Sequence, residues 1–196
     1  VRLNQHVVAL EPGERAGEVI VVTNDRNEVE YAYEAQAVLV ATGRIPNGDT
    51  LNLEAAGISV DKAGLIRVDA TQRTSVPHIW ALGDVSSKWA LKHVANHEMR
   101  VVAHNLIYPE SPIESDHRFV PHAVFSSPQI AAVGATEQQL IEWGRPYAKA
   151  VQPYGSVAYG WALEDEQHFV KLLADPGSWH LLGAHIIGPQ AATLIQ

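Results

Sequence analysis

The feature that most constrains the fold is an apolar run that ends on Gly83-Asp84, within TSVPHIWALGDVSS at residues 74–87. A glycine at the end of a strand lets the backbone approach a ligand closely, and an ionised aspartate accepts two hydrogen bonds from neighbouring hydroxyls. The segment therefore predicts a buried strand that presents Asp84 to a sugar or polyol chain. Gly-Asp also turns a chain after a strand without any ligand, so the motif alone leaves both interpretations open.

A second feature follows seven residues after Asp84, where residues 91–107 show helical periodicity that stops before Pro109. The apolar positions that recur near 3.6 residues are Leu91, Val94, Ala95, Val102 and Leu106. The start of such a helix, at Leu91-Lys92-His93, presents backbone N–H groups without helical acceptors and is suited to an anionic ligand group.

The first 44 residues predict the end of one domain. The β-rich runs EVIVVTN and EVEYAYEA, separated by DRNE, predict a short antiparallel meander. They lead into AVLVATG at residues 37–43, which is apolar on both alternating faces and predicts a strand covered on both sides. Gly43 at its end is a second place where a ligand could meet bare backbone, although Ala-Thr-Gly is also common turn chemistry.

Residues 45–119 predict turns and short strands around the Gly-Asp motif. RIPNGDT is a turn cluster, and ISVDKAGLIRVDA predicts a hairpin around Lys62-Ala63-Gly64. HIWALGDV predicts a buried strand. The polar stretch PESPIESDH at residues 109–117 contains two prolines and predicts an internal boundary.

The last third of the chain predicts an antiparallel sheet with helices on one side. Thr136, with Gln139 three residues later, predicts a capped helix that stops at Gly144. HFVKLLA and WHLLGAHIIG, joined by DPGS, predict a strand pair. The aromatic residues of this region are expected in the core or at a subunit interface, and they are Trp143, Tyr147, Tyr154, Tyr159, Trp161 and Trp179.

Composition excludes several classes of function. The net charge of −8 argues against a nucleic-acid surface, and no apolar stretch reaches the roughly 18 residues of a membrane span. The N-terminus lacks a signal-peptide pattern, so we expect a soluble cytoplasmic protein. The 196 residues include no cysteine, which excludes thiolate metal sites and cysteine nucleophiles within them. Because the sequence opens without Met in strand-like alternation and stops in a first helical turn, we expect a fragment.

Three histidines lie on the predicted helix, and His93 and His97 share one face because they are four residues apart. A catalytic metal site needs a third ligand and an open position. No nearby cysteine or carboxylate supplies that third ligand, so these residues, with His104, are expected to be surface or hydrogen-bonded histidines and no metal is predicted.

These segments, in this order, resemble the flavoprotein pyridine nucleotide-disulfide reductases, the family of glutathione reductase and dihydrolipoamide dehydrogenase. VLVATGRIPN resembles the junction between the NAD(P) domain and the second half of the FAD domain. TSVPHIWALGDV resembles the second FAD motif, and VPHAVFSSPQIAAVGATE the opening of the dimerisation domain. LKHVANHE is most similar to the mycothione reductase subgroup.

The resemblance implies an α/β plus α+β fold in three parts. Residues 1–44 would end a nicotinamide-binding domain, 45–119 would form the second segment of a Rossmann-like FAD-binding domain, and 120–196 would form an α+β dimerisation domain with an antiparallel sheet, truncated at its C-terminus. The parent protein would be a homodimer through this last domain.

The resemblance also implies site residues and cofactors. Asp84 would bind the ribityl hydroxyls of FAD, Gly43 would lie against NAD(P)H, and the flavin's pyrimidine edge would meet the backbone of Ala90, Leu91, Lys92 and His93. The family chemistry is hydride transfer from NAD(P)H to FAD, then reduction of a small-molecule disulfide through a cysteine pair. A His-Glu pair from the other subunit protonates the leaving thiol.

Several parts of that machinery lie outside these residues. The resemblance places both GxGxxG motifs and the redox cysteine pair before Val1, and the catalytic His and Glu after Gln196, so no catalytic residue is assigned here. His185 falls in an apolar strand and is not given the acid role. The substrate implied is mycothione; dihydrolipoamide dehydrogenase or another family reductase is the first alternative, and a non-catalytic flavin-binding or oligomerisation module is an alternative of another class.

Overall fold

The computed structural model describes residues 1–196, which divide into two compact units, Val1–Arg44 and Ile45–Gln196. Both units mix irregular segments with antiparallel sheet, and the second also carries the helices. The mixed α and β fold class predicted from the sequence is confirmed, although two of its predicted strands are not.

The first unit is a three-stranded antiparallel meander. Its strands are β1 (His6–Pro12), β2 (Val19–Asn24) and β3 (Glu30–Ala35), in the order β1-β2-β3. Between β2 and β3, Asp25 Oδ1 accepts hydrogen bonds from the backbone N–H groups of Asn27 and Val29. Those two donors, led by Val29, lower the pKa of Asp25. The predicted meander is therefore confirmed, with an Asx-type turn at DRNE.

The prediction of a covered strand at residues 37–43 is wrong in this structure. The segment has no strand assignment, and Leu39 is 91% exposed. A strand needs a neighbour to accept and donate its backbone hydrogen bonds, and no other segment of the described chain pairs with these residues. An apolar run predicts burial, but it does not supply the neighbouring strands.

Residues 45–91 form turns held by short backbone pairs. A 3-10 turn occupies Asn47–Leu51, and the predicted hairpin reduces to one bridge, Val60 with Ile66. HIWALGDV is not a strand: only Trp80 pairs, with Arg73, and a 3-10 turn begins at Gly83. The chain folds back tightly at this point, because the N–H of Thr74 donates to the carbonyl of Ile79. The two segments on either side of this turn therefore pair at a single bridge and form no regular β-ladder.

The predicted helix is confirmed as α1, which spans Lys92–Ile107 with Leu91 at its N-cap. The side chains that α1 buries differ from the apolar stripe that the sequence predicted. Leu106 is exposed, and the fully buried positions are Val94, Glu98, Val101 and Asn105. Two of these four are polar, so specific hydrogen bonds as well as apolar packing fix the helix in place.

The last third forms a five-stranded antiparallel sheet in the order β4-β5-β8-β7-β6. The strands are β4 (His122–Val124), β5 (Ile130–Gly134), β6 (Ala148–Pro153), β7 (Phe169–Ala174) and β8 (Leu181–Ile187). Three short helices complete the unit: α2 (Glu137–Glu142), α3 (Ala158–Ala162) and α4 (Ala191–Leu194). The predicted strand pair at DPGS is β7 with β8, and the predicted antiparallel sheet is confirmed.

Two apolar clusters hold the sheet and its helices together. Leu140 of α2 packs with Leu173 of β7 and Leu182 of β8, while Tyr154 and α4 pack against Ala131 and Ile186. The predicted capping box of α2 is present, since Thr136 and Gln139 exchange side-chain to backbone hydrogen bonds. Gly144 ends this helix with a φ of +62°, the left-handed conformation expected of a glycine stop.

The aromatic side chains of this unit do not all enter the core. Tyr154 is buried and Tyr147 is half-buried. The other four residues are exposed, and they are Trp143, Tyr159, Trp161 and Trp179. Their predicted place in the core is wrong, because short helices and turns carry them away from the sheet; their place at a subunit interface stays a prediction.

Candidate functional site

The Gly-Asp motif forms a tight turn instead of a strand end. Residues Gly83–Val85 make a 3-10 turn, and the Gly83 carbonyl accepts the N–H groups of Ser86 and Ser87 at 3.0 and 2.8 Å. Gly83 has a φ of +72°, and a Cβ built at this position would lie 3.3 Å from the Cβ of Ala95. The positive φ favours glycine at this position, and a Cβ there would also crowd Ala95 of α1.

A buried carboxylate joins this turn to α1. Glu98 is 1% exposed, and its Oε2 accepts the Gly83 N–H at 2.6 Å. Its other oxygen, Oε1, lies 3.0 Å from Nε2 of His117. Glu98 and His117 also border a cavity of about 440 Å³. A buried carboxylate is costly unless it is hydrogen-bonded. Here Oε2 has a backbone donor, while Oε1 lies within ion-pair distance of His117 Nε2, a buried nitrogen that makes no hydrogen bond.

The N-terminus of α1 has no side-chain cap. Leu91 is extended, with φ −129° and ψ 130°, and its carbonyl accepts the N–H groups of Val94 and Ala95. The backbone N–H groups of Lys92 and His93 precede the first intrahelical donors. A 16-residue helix of this kind presents partial positive charge at its start, which favours an anionic ligand edge.

Five of the six predicted site residues belong to the second unit. Asp84, Ala90, Lys92 and His93 are exposed, and Leu91 is half-buried. The turn that carries Asp84 packs against α1, whose first residues are Lys92 and His93.

The sixth predicted site residue, Gly43, belongs to the first unit. It has a φ of +100°, and a Cβ at this position would meet nothing within 4 Å. Its left-handed conformation favours glycine, while the space beside it would accept a side chain. Its role against a nicotinamide cofactor stays a prediction.

The turn and the helix start fit a flavin nucleotide chemically. Asp84, the exposed acid that follows Gly83, is chemically suited to accept hydrogen bonds from the hydroxyls of a polyol chain. An uncapped helix N-terminus suits the pyrimidine edge, which becomes anionic on reduction. When bound, FAD supplies two-electron redox chemistry.

The sequence interpretation missed Glu98 and the segment that fixes it. Residues 111–118, here called the connecting segment, run beside α1 and lead toward the sheet. Asn105 holds it at Ile113 with two hydrogen bonds of 2.8 and 3.0 Å, and His97 Nε2 accepts the Asp116 N–H at 3.1 Å. The signal was present in the sequence, because Glu98 stands four residues after Val94 and three before Val101 on the apolar stripe.

The histidines of α1 do not assemble a metal site. His97 accepts a backbone hydrogen bond and stands edge-on to His117, while His104 contacts the Ser111 carbonyl at 3.0 Å. No group of three or more His, Cys, Asp or Glu side chains in residues 1–196 is placed to hold a metal ion. The hydrogen-bonded role predicted for His97 and His104 is confirmed.

His185 lies in β8 as predicted. Burial lowers its pKa, and the charges of Lys171 and His122 lower it further. Both ring nitrogens are buried without a hydrogen-bond partner. No hydrogen bond joins His185 to the Gly83–Asp84 turn or to α1, so the structure gives it no part in the candidate site.

Comparison with protein-family models places these observations in a known group. Residues 1–98 match the model described as pyridine nucleotide-disulphide oxidoreductase, and residues 120–196 match the dimerisation domain of the same proteins. The chain belongs to the pyridine nucleotide-disulphide oxidoreductase family. Proteins of this family use FAD and NAD(P)H. The Gly83–Asp84 turn lies within the first matched range, and the five-stranded sheet lies within the second.

Curated relatives include reductases and dehydrogenases. Mycothione reductase of Mycobacterium tuberculosis is 55% identical over 166 residues, covering 83% of this chain and 36% of the relative. Dihydrolipoyl dehydrogenase of Chlamydia muridarum is 35% identical, with coverage of 93% and 38%. Glutathione reductase of Burkholderia cepacia is 38% identical, with coverage of 100% and 42%. The chain thus spans about two-fifths of the length of these relatives.

Solved structures of similar fold include two flavoprotein-type enzymes from bacteria. LpdA from Mycobacterium tuberculosis superposes with a TM-score of 0.81 at 25% identity, covering 98% of this chain and 40% of that protein. The HOCl-induced flavoprotein disulfide reductase RclA from Escherichia coli gives 0.78 at 26% identity, with coverage of 97% and 42%. The fold of this chain is therefore that of flavoprotein disulfide reductases. None of its helices is long and apolar enough to cross a membrane.

Proposed function

We propose that the full-length protein is an FAD-dependent NAD(P)H:disulfide oxidoreductase that reduces mycothione to its thiol. The observation that carries the flavin assignment is the Gly83–Val85 turn, which packs on α1 and precedes a helix start without a side-chain cap. The 55% identity with mycothione reductase supports the substrate.

In this proposal the residues of the chain bind and orient the cofactor and perform no covalent step. Asp84 accepts hydrogen bonds from the ribityl hydroxyls, and the backbone N–H groups of Lys92 and His93 face the pyrimidine edge, beside Ala90 and Leu91. A helix N-terminus contributes about 0.3–2 kcal/mol to an anion, and 1.4 kcal/mol corresponds to roughly 30 mV for a two-electron couple. The helix therefore tunes the flavin and leaves the redox chemistry to the cofactor.

The domain roles are part of the same proposal. Residues 1–44 belong to the nicotinamide-binding domain, 45–119 to the FAD-binding domain, and 120–196 to the dimerisation domain of a cytoplasmic homodimer. The match of residues 120–196 to the dimerisation model supports the last assignment. Gly43 is proposed to lie against NAD(P)H, and the redox cysteines are proposed to lie outside the 196 residues, which contain none.

Dihydrolipoamide dehydrogenase is the second candidate function, because dihydrolipoyl dehydrogenases match over 90% or more of this chain. A non-catalytic flavin-binding module is the candidate of another class. The three differ in the chemistry that they predict for the full-length protein: mycothione reduction, lipoamide turnover, or bound flavin without disulfide turnover.

A substrate comparison on the purified full-length protein tests the proposal. Mycothione, lipoamide and glutathione disulfide are supplied at equal concentrations with NADPH or NADH, and nicotinamide oxidation is followed by absorbance. We expect bound flavin in the visible spectrum and a kcat/KM for mycothione at least tenfold above that for the other two. Higher kcat/KM with lipoamide would select the second candidate, and flavin without any turnover would select the non-catalytic module.

A further inference from the structure

Glu98 is the one charged side chain among the fully buried residues of the chain. Its carboxylate is not needed to fill space, since a Leu or Met would occupy the same stripe of α1 at a lower cost of desolvation. The two oxygens have different partners: Oε2 accepts the Gly83 N–H at 2.6 Å, and Oε1 lies 3.0 Å from His117 Nε2. One carboxylate oxygen thus accepts a hydrogen bond from one particular backbone amide, that of Gly83.

That amide belongs to the residue before Asp84. Gly83 has a φ of +72°, and a glycine has more alternative backbone conformations than any other residue. The hydrogen bond from its N–H to a buried carboxylate fixes the peptide orientation at the start of the turn. The orientation in which Asp84 leaves the turn therefore depends on Glu98.

Glu98 is itself held from the opposite side by the connecting segment. His117 belongs to this segment, which Gln72 also anchors by a 2.9 Å hydrogen bond to the Ser115 hydroxyl. Ser115 donates its N–H to the Ala70 carbonyl at 2.8 Å. The connecting segment leads directly into the residues that match the dimerisation model. The Glu98 carboxylate therefore contacts both the Gly83 turn and the segment that precedes the five-stranded sheet.

We propose that Glu98 is a positioning residue for the flavin, which fixes the backbone at Gly83 so that Asp84 meets the cofactor, and that His117 holds Glu98 in this orientation. The inference rests on the proposed function, because it assigns a role to Glu98 only if the turn binds FAD. Neither residue contacts the cofactor in this proposal; both act through the Gly83 amide.

The experiment compares FAD dissociation constants of full-length variants reconstituted from apoprotein, with melting temperature and visible spectrum as parallel measurements. Glu98→Ala removes both contacts, whereas Glu98→Gln keeps an oxygen that can accept the Gly83 N–H. Val101→Ala is the matched control, because Val101 is 2% exposed and lies on the same buried face of α1. Its truncation is expected to lower stability while leaving the Gly83–Glu98 hydrogen bond in place.

We expect Glu98→Ala to weaken FAD binding at least tenfold, His117→Ala at least threefold, and Glu98→Gln and Val101→Ala less than threefold. If Glu98→Ala weakens FAD binding less than threefold, the inference is overturned. It is also overturned if Val101→Ala, at the same melting temperature as Glu98→Ala, weakens FAD binding to the same extent. If Glu98→Ala does not fold, His117→Ala decides with the threshold of threefold. A wild-type protein that binds no FAD overturns the proposed function; a flavin-bound wild type with unaffected variants overturns only this inference.

Discussion

The backbone N–H of Gly83 donates a 2.6 Å hydrogen bond to the carboxylate of Glu98, fifteen residues further along the chain. This contact joins the 3-10 turn at Gly83–Val85 to the buried face of α1, the only long helix. The exposed acid at position 84 therefore follows a residue whose backbone N–H is hydrogen-bonded to a buried side chain, and binding residues need support of this kind.

Replacing the acid of this turn tests its role in cofactor binding. Asp84→Ala in the full-length protein is expected to weaken FAD by about 1.5–3 kcal/mol, roughly ten- to hundredfold in Kd, because hydrogen bonds to a charged group are lost. The measurement is FAD fluorescence released on dilution of the holoprotein. Asp49→Ala is the control, since Asp49 is an exposed acid in another 3-10 turn. Retention of FAD equal to that of wild type would contradict the ribityl assignment.

The core of the sheet depends on Leu173, which is fully buried with Leu140 and Leu182. Leu173→Ala is expected to destabilise the protein by about 2–5 kcal/mol, since a cavity remains where the side chain was. Leu172→Ala is the matched control, because this neighbour on β7 is 36% exposed. Urea midpoints followed by tryptophan fluorescence should fall clearly more for Leu173→Ala; equal shifts would show that the two faces of β7 contribute alike.

The charge cluster at the start of α2 predicts sensitivity to acid. Hydrogen bonds from Lys149 and Tyr147 lower the pKa of Glu137 from 4.5 to about 2. A lowered pKa in the folded state stabilises the protein above pH 4.5, and this contribution is lost as the pH falls toward 2. Glu137→Gln should therefore lower the melting temperature at pH 6, and the difference from wild type should narrow below pH 4.5.

The melting temperatures for this prediction are measured by calorimetry, with two controls. Glu142→Gln, on the same helix and exposed, should leave the melting temperature nearly unchanged at every pH. High salt should reduce the effect of Glu137→Gln, because exposed charges are screened. A difference from wild type that stays constant between pH 6 and pH 3 would show that the carboxylate charge is not responsible.

His185 predicts a second, milder pH effect with a different window. Burial lowers its pKa below the usual 6.5, so the unfolded chain takes up a proton more readily than the folded one. Above pH 6.5 the imidazole is neutral in both the folded and the unfolded chain. Below that pH the unfolded chain binds the proton more tightly, so the free energy of unfolding falls. In His185→Leu the melting temperature relative to wild type should rise as the pH falls from 7.5 to 5.5.

His180→Leu serves as the control for this prediction, because His180 is exposed in the turn before β8. Its melting temperature should follow that of wild type across the same range. If the melting temperatures of His185→Leu and wild type differ by the same amount at pH 7.5 and pH 5.5, the protonation of this histidine does not affect stability.

Local sequence signals determined the elements that satisfy their own hydrogen bonds or pair with a chain neighbour. The helix at 92–107, the capping box at Thr136 and Gln139, and the β7-β8 hairpin all follow from spacing over a few residues. The resemblance of the Gly83-Asp84 motif to a flavin motif likewise needed only the order of residues. These features depend on short-range physics, which the sequence contains directly.

Tertiary structure decided the rest. The apolar runs at residues 37–43 and 78–85 predicted strands, but a strand exists only where another segment pairs with it. The role of the buried Glu98 carboxylate depends on Gly83 and His117, which are distant from it in sequence and contact it only in the folded chain. Sequence determined which residues can form helices, caps and hairpins, whereas long-range contacts alone decided which polar groups are buried together, because desolvation is a property of the assembled surroundings.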